Sequence, residues 1–172
     1  MTKVINLIGA PSSGKSTVAA GLFYTLKKMG YNVEYSSEWV KTKVYEQAPY
    51  PFHDQLYTFA KQNKQLRQLV GKVDYIVTDS PLLVSLVYNS EEPELFNKLV
   101  LEYFNQYDNV VFYLDRTHKF QQEGRIHNED EADEVGKKMK AVLDDNNIQY
   151  IETPSEHALD VVLAWFDAQN LV

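Results

Sequence analysis

The sequence of 172 residues contains no cysteine, which excludes a disulfide framework and any metal site built on thiolates. No apolar run approaches the roughly 20 residues that a membrane-spanning helix needs. The first residues lead at once into a strand pattern, which leaves no room for a signal peptide. There is also no internal repeat and no linker. These absences predict a soluble cytoplasmic protein without contact to membranes, folded as one domain over residues 1–172.

The composition bears on two further classes of protein. Hydrophobic residues make up 44% of the chain and charges of both signs are present, so an intrinsically disordered chain is not expected. The net charge of −7 disfavours unspecific adhesion to nucleic acid, although it leaves room for a local basic groove.

The most specific feature of the sequence is a phosphate-binding pattern near its start. Residues 9–16 read Gly-Ala-Pro-Ser-Ser-Gly-Lys-Ser, which fits G-x-x-x-x-G-K-[ST] between an apolar strand and a helix. Glycine lets the backbone approach phosphate oxygens, Lys15 reaches the β- and γ-phosphates, and the Ser16 hydroxyl suits Mg²⁺. The pattern predicts that ATP is bound by Gly9, Ser12, Ser13, Gly14, Lys15, Ser16 and Thr17.

Apolar strand patterns alternate with amphipathic helix patterns along the whole chain, which predicts a parallel sheet covered on both faces. Five strands joined by right-handed crossovers give an α/β fold, a three-layer α/β/α sandwich of the P-loop NTPase type. The fifth strand is expected at Ile148–Ile151 and a long polar helix at His53–Val70.

Helical spacing also predicts which side chains are buried. The first helix is expected to bury Val18, Leu22, Leu26 and Met29. The long polar helix has a narrow apolar stripe at Leu56, Phe59, Leu66 and Leu69. A helix capped by Ser90 is expected to turn inward Leu95, Leu99 and Phe104. Asn128 with Glu131 begins another helix.

Ligands on such a sheet collect beyond the carboxyl ends of the strands, so the residues that follow each strand are candidates for the site. Asp79 ends the third strand, where a carboxylate suits Mg²⁺ directly or through water; the simpler interpretation is a helix cap before Pro81. Glu38 follows the second strand, opposite the expected γ-phosphate. Its carboxylate is expected to take the proton of an attacking hydroxyl or to bind a sugar, and the alternative is a glutamate placed by the helix dipole.

The segment after the fourth strand is polar and contains a glycine, Gly124, which predicts a mobile lid at about residues 115–128. Arg116 and Arg125 are expected to stabilise the charge of the transferring phosphoryl group, with solvated loop charge as the alternative. His118 and His127 are interpreted as plain loop residues.

Two further groups are ambiguous. Gln62 and Arg67 on the long helix could touch a base or phosphate of the acceptor, although a solvated face explains the pattern more simply. The aromatic residues near the same loop could stack a nucleobase or pack in the core; they are Trp39, Tyr45, Tyr50 and Phe52. The sequence assigns neither group a role.

Over nearly its whole length the chain resembles the P-loop kinases of the nucleotide-kinase branch. The resemblance is carried by the phosphate loop, the Ser37-Glu38 step, the run Thr78-Asp79-Ser80-Pro81, and a lid with Asp115-Arg116 and Gly124-Arg125. More narrowly, the chain is similar to small ATPase-like kinases of tailed bacteriophages, some of which phosphorylate 5-hydroxymethyluracil bases in phage DNA. Nicotinamide riboside kinases are more distant. The sequence has no clear second acidic motif and no sensor arginine of the AAA machines, which argues against a ring-forming motor.

The residues and the resemblance together predict a kinase that uses ATP and Mg²⁺, with Ser16 and Asp79 at the metal. The predicted catalytic residues are Lys15, Glu38, Asp79, Arg116 and Arg125. Three functions stay open. The first is transfer of the γ-phosphate of ATP to a nucleoside, a nucleotide or a related hydroxyl, and the second is transfer to a hydroxymethylated base, which makes nucleic acid a substrate. The third is NTP hydrolysis by a switch or binding module without an acceptor.

Overall fold

The computed structural model of the protein describes residues 2–46, 54–122 and 127–170. Within these residues the chain forms five strands: β1 (Lys3–Ile8), β2 (Val33–Ser36), β3 (Tyr75–Thr78), β4 (Asp108–Asp115) and β5 (Ile151–Pro154). The helices of the same residues are α1 (Lys15–Lys28), α2 (Trp39–Tyr45), α3 (Gln55–Arg67), α4 (Val84–Tyr88), α5 (Glu94–Asn105), α6 (Glu129–Asp145) and α7 (Ala158–Asn170). Among these helices none combines the length and the apolar character needed to cross a membrane.

All strand pairs of the sheet are parallel, and the strand order is β2-β3-β1-β4-β5. Strand β1 lies in the centre, where Ile5 pairs with Val77 of β3 and with Val110 of β4. Parallel neighbours need long crossover connections, and here every crossover carries at least one helix. The predicted α/β fold with a five-stranded parallel sheet is confirmed.

The side chains of β1 alternate between two apolar layers, as the geometry of a strand requires. Ile5 and Leu7 face a layer built with α1 and α7, in which Phe166 is fully buried. Val4 and Ile8 face the opposite layer, which α3, α5 and α6 complete. Both faces of the sheet are therefore covered, which gives the three layers.

Helix α1 buries Val18, Leu22 and Leu26, as predicted. Met29, however, is 49% exposed, so its predicted burial is wrong. Met29 lies just past the last helical residue and beside Gly30, whose φ of 88° marks the point where the chain leaves the helix. The helical spacing that places a side chain inward ends there.

Helix α5 differs from the prediction in its start and in its inward face. It begins at Glu94 with Pro93 as the N-cap, so Ser90 is not its cap. Leu95 and Leu99 are 74% and 39% exposed, and the predicted inward position of both is wrong. The predicted burial of Phe104 is confirmed, and the other two buried residues of this face, Phe96 and Val100, each lie one residue further along the chain than predicted.

Helix α3 is shorter than predicted, with Asp54 as its N-cap and Arg67 as its last residue. The predicted first residue, His53, lies outside the described residues. Leu56 is 48% exposed, so its predicted burial is wrong. Leu56 lies beside the inward face because that face runs through Gln55, Phe59, Gln62, Asn63 and Leu66.

Strand β5 begins three residues later than predicted, at Ile151. The backbone N–H of Ile148 donates to the carbonyl oxygen of Leu143 at 2.9 Å, so this residue still belongs to the turn that closes α6. At its other end α6 begins with a capping box, in which Asn128 and Glu131 bond each other's backbone N–H groups. The predicted start of that helix is confirmed.

Candidate functional site

The phosphate loop lies between β1 and α1 and comes very close to the end of β4. Gly9 has a φ of 151°, and a Cβ there would stand 2.5 Å from the carbonyl oxygen of Leu114 and 2.8 Å from Ser13 Oγ. Since no side chain fits that space, the position requires glycine. Gly14, with a φ of 80°, is the N-cap of α1. The first N–H groups of α1 therefore start at the loop, where they suit an anion.

Two side chains of the loop fit a bound triphosphate. Lys15 Nζ donates to the carbonyl oxygens of Gly9 and Ala10 at 2.9 Å and 2.8 Å, so the ammonium group is folded back onto the loop. Ser13 Oγ is buried. Among the buried side-chain polar atoms of the described residues, it is the one without a hydrogen-bond partner. Phosphate oxygens can accept hydrogen bonds from both groups, which would satisfy the buried hydroxyl.

Asp79 is 5% exposed and joins the ends of two neighbouring strands. Its Oδ2 accepts a hydrogen bond from the Tyr35 hydroxyl at 2.8 Å, and its Oδ1 accepts one from the backbone N–H of Glu38 at 3.0 Å. Burial and the Asp79 carboxylate raise the pKa of Tyr35 far above its ordinary value, so the phenol stays protonated and donates. Asp79 therefore fixes the backbone from which the Glu38 side chain extends.

A cavity of about 300 Å³ runs from the phosphate loop to the ends of β2 and β3. It brings together most of the predicted site, namely Gly9, Ser12, Ser13, Gly14, Lys15, Ser16, Glu38 and Asp79. Two predicted residues, Thr17 and Arg116, are not part of its lining, and Thr17 is exposed. The phosphate loop and Glu38 thus line the same cavity.

Several lining residues were not predicted from the sequence. They are Gln55 and Thr58 on α3, Tyr88 at the end of α4, and His127. Gln62, which the sequence left ambiguous, also lines the cavity and donates to Ser36 Oγ at 3.3 Å, whereas Arg67 is not in the lining. The polar face of a helix carries the same pattern whether it meets water or a cavity, so Gln55, Thr58 and Gln62 had no distinguishing signal.

His127 and Tyr88 form an aromatic wall of the cavity, with their ring centroids 5.6 Å apart. Burial lowers the pKa of His127 below its ordinary value, so the imidazole is neutral at pH 7. Burial and the charge of Glu38 raise the pKa of Tyr88, which keeps the phenol neutral as well. His127, interpreted from the sequence as a plain loop residue, lies in a loop and also lines the cavity.

Arg116 lies between the phosphate loop and α6. Its guanidinium donates to the carbonyl oxygen of Pro11 at 3.3 Å, forms an ion pair with Asp133, and lies 3.6 Å from Glu129. Its side chain is 10% exposed, and the guanidinium stands 5.3 Å from the centre of the Phe120 ring. In this arrangement Arg116 tethers the phosphate loop to α6.

The other predicted lid residues, Gly124 and Arg125, lie outside the described residues. The role of Arg125 and the mobility of the lid therefore stay predictions.

The sheet order, the phosphate loop between β1 and α1, and the acid after β3 together define a P-loop protein with a nucleotide-kinase-like fold. The chain belongs to the AAA domain family, which matches residues 4–159. No curated protein matches the chain.

Solved structures with a similar fold include two of deoxyadenosine kinase from M. mycoides. The one with the products dCMP and a flexible dCDP bound has 19% identity and a TM-score of 0.62, covering 96% of this chain and 99% of that chain. The one with dATP bound has 17% identity and a TM-score of 0.55, covering 95% of this chain and 99% of that chain. NadR protein in complex with NR has 17% identity and a TM-score of 0.67, covering 94% of this chain and 50% of that chain. This chain thus spans about half the length of NadR.

Proposed function

We propose that the protein is an ATP-dependent phosphotransferase that moves the γ-phosphoryl group to a hydroxyl of an uncharged, nucleoside-sized acceptor. The observation that supports this proposal most strongly is that the phosphate loop and Glu38 line the same cavity. Its volume of about 300 Å³ suits a small-molecule ligand. A switch that only hydrolyses NTP needs room for water beside the γ-phosphate and gains nothing from such a space.

The part of the cavity beyond the phosphate loop is called the acceptor pocket here; it is lined by Glu38, Gln55, Thr58, Gln62 and Tyr88. Among the described lining residues Lys15 is the one lysine or arginine, and it belongs to the phosphate loop. Glu38 brings a carboxylate, and His127 is neutral because burial lowers its pKa. Among the described lining residues of this pocket, a phosphate on the acceptor would find the carboxylate of Glu38 and no cation to pair with. The charges therefore favour a nucleoside over a nucleotide.

The proposed chemistry is an in-line displacement at the γ-phosphorus. The acceptor oxygen forms a bond to phosphorus, the bond from phosphorus to the β,γ-bridging oxygen breaks, and ADP leaves. Glu38 takes the proton of the acceptor hydroxyl as this bond forms. Lys15 turns from the carbonyl oxygens of Gly9 and Ala10 to the phosphates, where its charge offsets the negative charge of the transferring group.

Ser16 and Asp79 are the residues that would hold Mg²⁺, since a hydroxyl and a carboxylate are the oxygen ligands that this ion prefers. Both line the cavity. The Asp79 oxygens each accept one hydrogen bond and keep further lone pairs for a metal-bound water. When bound, the ion would offset negative charge on the phosphates.

The test is transfer of label from γ-³²P-ATP to a panel of nucleosides and their monophosphates. Transfer to the nucleosides, which gives labelled nucleoside monophosphates, is expected, and no labelled diphosphate should form from the monophosphate acceptors. The two alternatives give other products in the same assay: a hydroxymethylated base in DNA would appear as labelled DNA, and a switch would release only labelled phosphate. Either result without a labelled nucleoside monophosphate would overturn the proposal.

A further inference from the structure

A surface of paired aromatic and lysine side chains lies on α2 and α3. It consists of Trp39, Lys43, Tyr57 and Lys61, and is called the aromatic–lysine face below. On each helix the lysine lies four residues after the aromatic residue, so the two side chains share one side of the helix. The rings of Trp39 and Tyr57 meet edge to face, with centroids 5.3 Å apart. The face is therefore a continuous surface formed by both helices.

The lysines of this face lie over aromatic rings. Lys61 Nζ is 5.0 Å from the centre of the Tyr57 ring and 6.0 Å from that of Trp39. Lys43 Nζ is 5.6 Å from the centre of the Trp39 ring and pairs with Glu46. Ion pairs of this exposed kind are weak, so a phosphate can replace the carboxylate of Glu46.

The face is partly exposed and carries positive charge. Tyr57 is 41% exposed, and Tyr45 at the end of α2 is 69% exposed. Two of the four side chains that form the face are lysines, in a chain with a net charge of −7. Lysines beside exposed aromatic rings are the composition of surfaces that bind single-stranded nucleic acid.

The aromatic–lysine face borders the acceptor pocket. Glu38 and Val40 line the cavity on either side of Trp39 in the sequence, and Thr58 and Gln62 each follow a residue of the face on α3. One ligand can therefore reach both places. The pocket itself offers no cation to an acceptor phosphate among its described residues, whereas the neighbouring face offers two lysines.

We propose that the aromatic–lysine face binds single-stranded nucleic acid at the mouth of the acceptor pocket. The phosphates pair with Lys43 and Lys61, whose ammonium groups turn away from the rings, and the bases stack on the ring faces that this movement uncovers.

The test is binding of a fluorescein-labelled strand of about ten thymidines, followed by anisotropy over a range of salt concentrations, without ATP or Mg²⁺. Tyr57→Ala is expected to weaken binding about tenfold, since it removes one stacking partner. Lys61→Gln is expected to weaken binding and to reduce the slope of log affinity against log salt by about 0.7, the contribution of one phosphate contact. Matched controls are Tyr24→Ala on α1 and Lys98→Gln on α5, which alter exposed side chains elsewhere and are expected to bind like the wild type.

The proposal is overturned if the strand does not bind at low salt, if duplex DNA binds equally tightly, or if the two face variants bind like their controls. Thermal melting verifies that each variant is folded. Should Tyr57→Ala unfold, Tyr57→Leu takes its place, because it keeps apolar packing and removes the aromatic ring. Loss of strand binding with intact transfer to nucleosides would leave the proposed phosphotransferase standing. Strand binding without phosphoryl transfer to any acceptor would overturn the proposed phosphotransferase and support nucleic-acid binding by the aromatic–lysine face.

Discussion

The carboxylate of Asp79 accepts a hydrogen bond from the backbone N–H of Glu38 at 3.0 Å, which joins the acid at the end of β3 to the acid at the end of β2. The second Asp79 oxygen accepts a bond from Tyr35 at 2.8 Å. Tyr35 thus holds the carboxylate, and the carboxylate holds the backbone of the proposed general base. A side chain that does not line the cavity can therefore affect the chemistry inside it.

Tyr35→Phe removes this donor and keeps the ring. We expect turnover to fall about tenfold while the Michaelis constant for ATP stays close to that of the wild type, since the loss of one hydrogen bond lets Asp79 and Glu38 move. Stability should fall by about 1 kcal/mol. Steady-state kinetics and urea unfolding check both values. A variant that loses stability alone would show that Tyr35 has only a structural role.

Lys15→Ala should abolish transfer and leave the fold intact. The side chain bonds two carbonyl oxygens of the loop and lies outside the three apolar clusters of the core, so its removal costs little packing. Lys28→Ala, at the other end of α1, is the matched control. Melting temperatures near that of the wild type are expected for both variants, with activity lost in Lys15→Ala alone. Near-normal turnover in Lys15→Ala would contradict phosphate binding at this loop.

His127 should make the folded state sensitive to acid. Burial lowers the pKa of its imidazole, so below pH of about 6.5, the ordinary histidine value, the unfolded chain binds the proton more readily than the folded one. Stability is therefore lost as the pH falls from 6.5 through the lowered value in the folded state. Urea midpoints at pH 7.5 and pH 5.5 should differ less in His127→Gln than in the wild type. The exposed His157 provides the control, and an equal effect of His157→Gln would contradict the assignment.

Arg116 forms an ion pair with Asp133. Variants of these two residues therefore distinguish a catalytic role of the arginine from a role in tethering the phosphate loop. If Arg116 also stabilises the transferring phosphoryl group, Arg116→Ala should lower turnover on the order of 10³-fold, whereas Asp133→Asn should change it only a few-fold. Arg116→Lys should recover little, because an ammonium group lacks the paired donors of a guanidinium. Turnover numbers for the three variants are the measurement. Equal losses in Arg116→Ala and Asp133→Asn would show that the arginine acts only by tethering the loop to α6.

Patterns that depend on local chemistry were predicted well from the sequence. The phosphate loop, the parallel sheet and the capping box of α6 follow from residue types at fixed spacing. The inward face of α5 was predicted only in part, since Phe104 is buried as expected but Leu95 and Leu99 are exposed. Phe96 and Val100 have the same four-residue spacing as Leu95 and Leu99, so tertiary packing, which the spacing of one helix does not contain, decides which pair faces the sheet.

Only the part of the cavity at the carboxyl ends of the strands was predicted from the sequence. Residues directly after strands, such as Glu38 and Asp79, were predicted because the sheet topology alone brings them together. Tyr88 lies at the end of a short helix and His127 two residues before α6, and no repeat or motif relates them. The ion-pair partners of Arg116 were also not predicted from the sequence, since Asp133 and Glu129 lie on a helix that begins 13 residues later.

The most direct test of the account compares the wild type with Glu38→Gln in γ-³²P-ATP transfer to a nucleoside, with ATP affinity measured separately. The amide keeps the shape of the side chain but does not accept a proton. Transfer is expected to depend on the nucleoside in the wild type and to fall about 10²-fold or more in the variant, with ATP affinity unchanged. Two results would contradict a phosphotransferase with Glu38 on the acceptor side. One is a rate of ADP release that is the same with and without a nucleoside. The other is a loss of transfer in Glu38→Gln that equals its loss of ATP affinity.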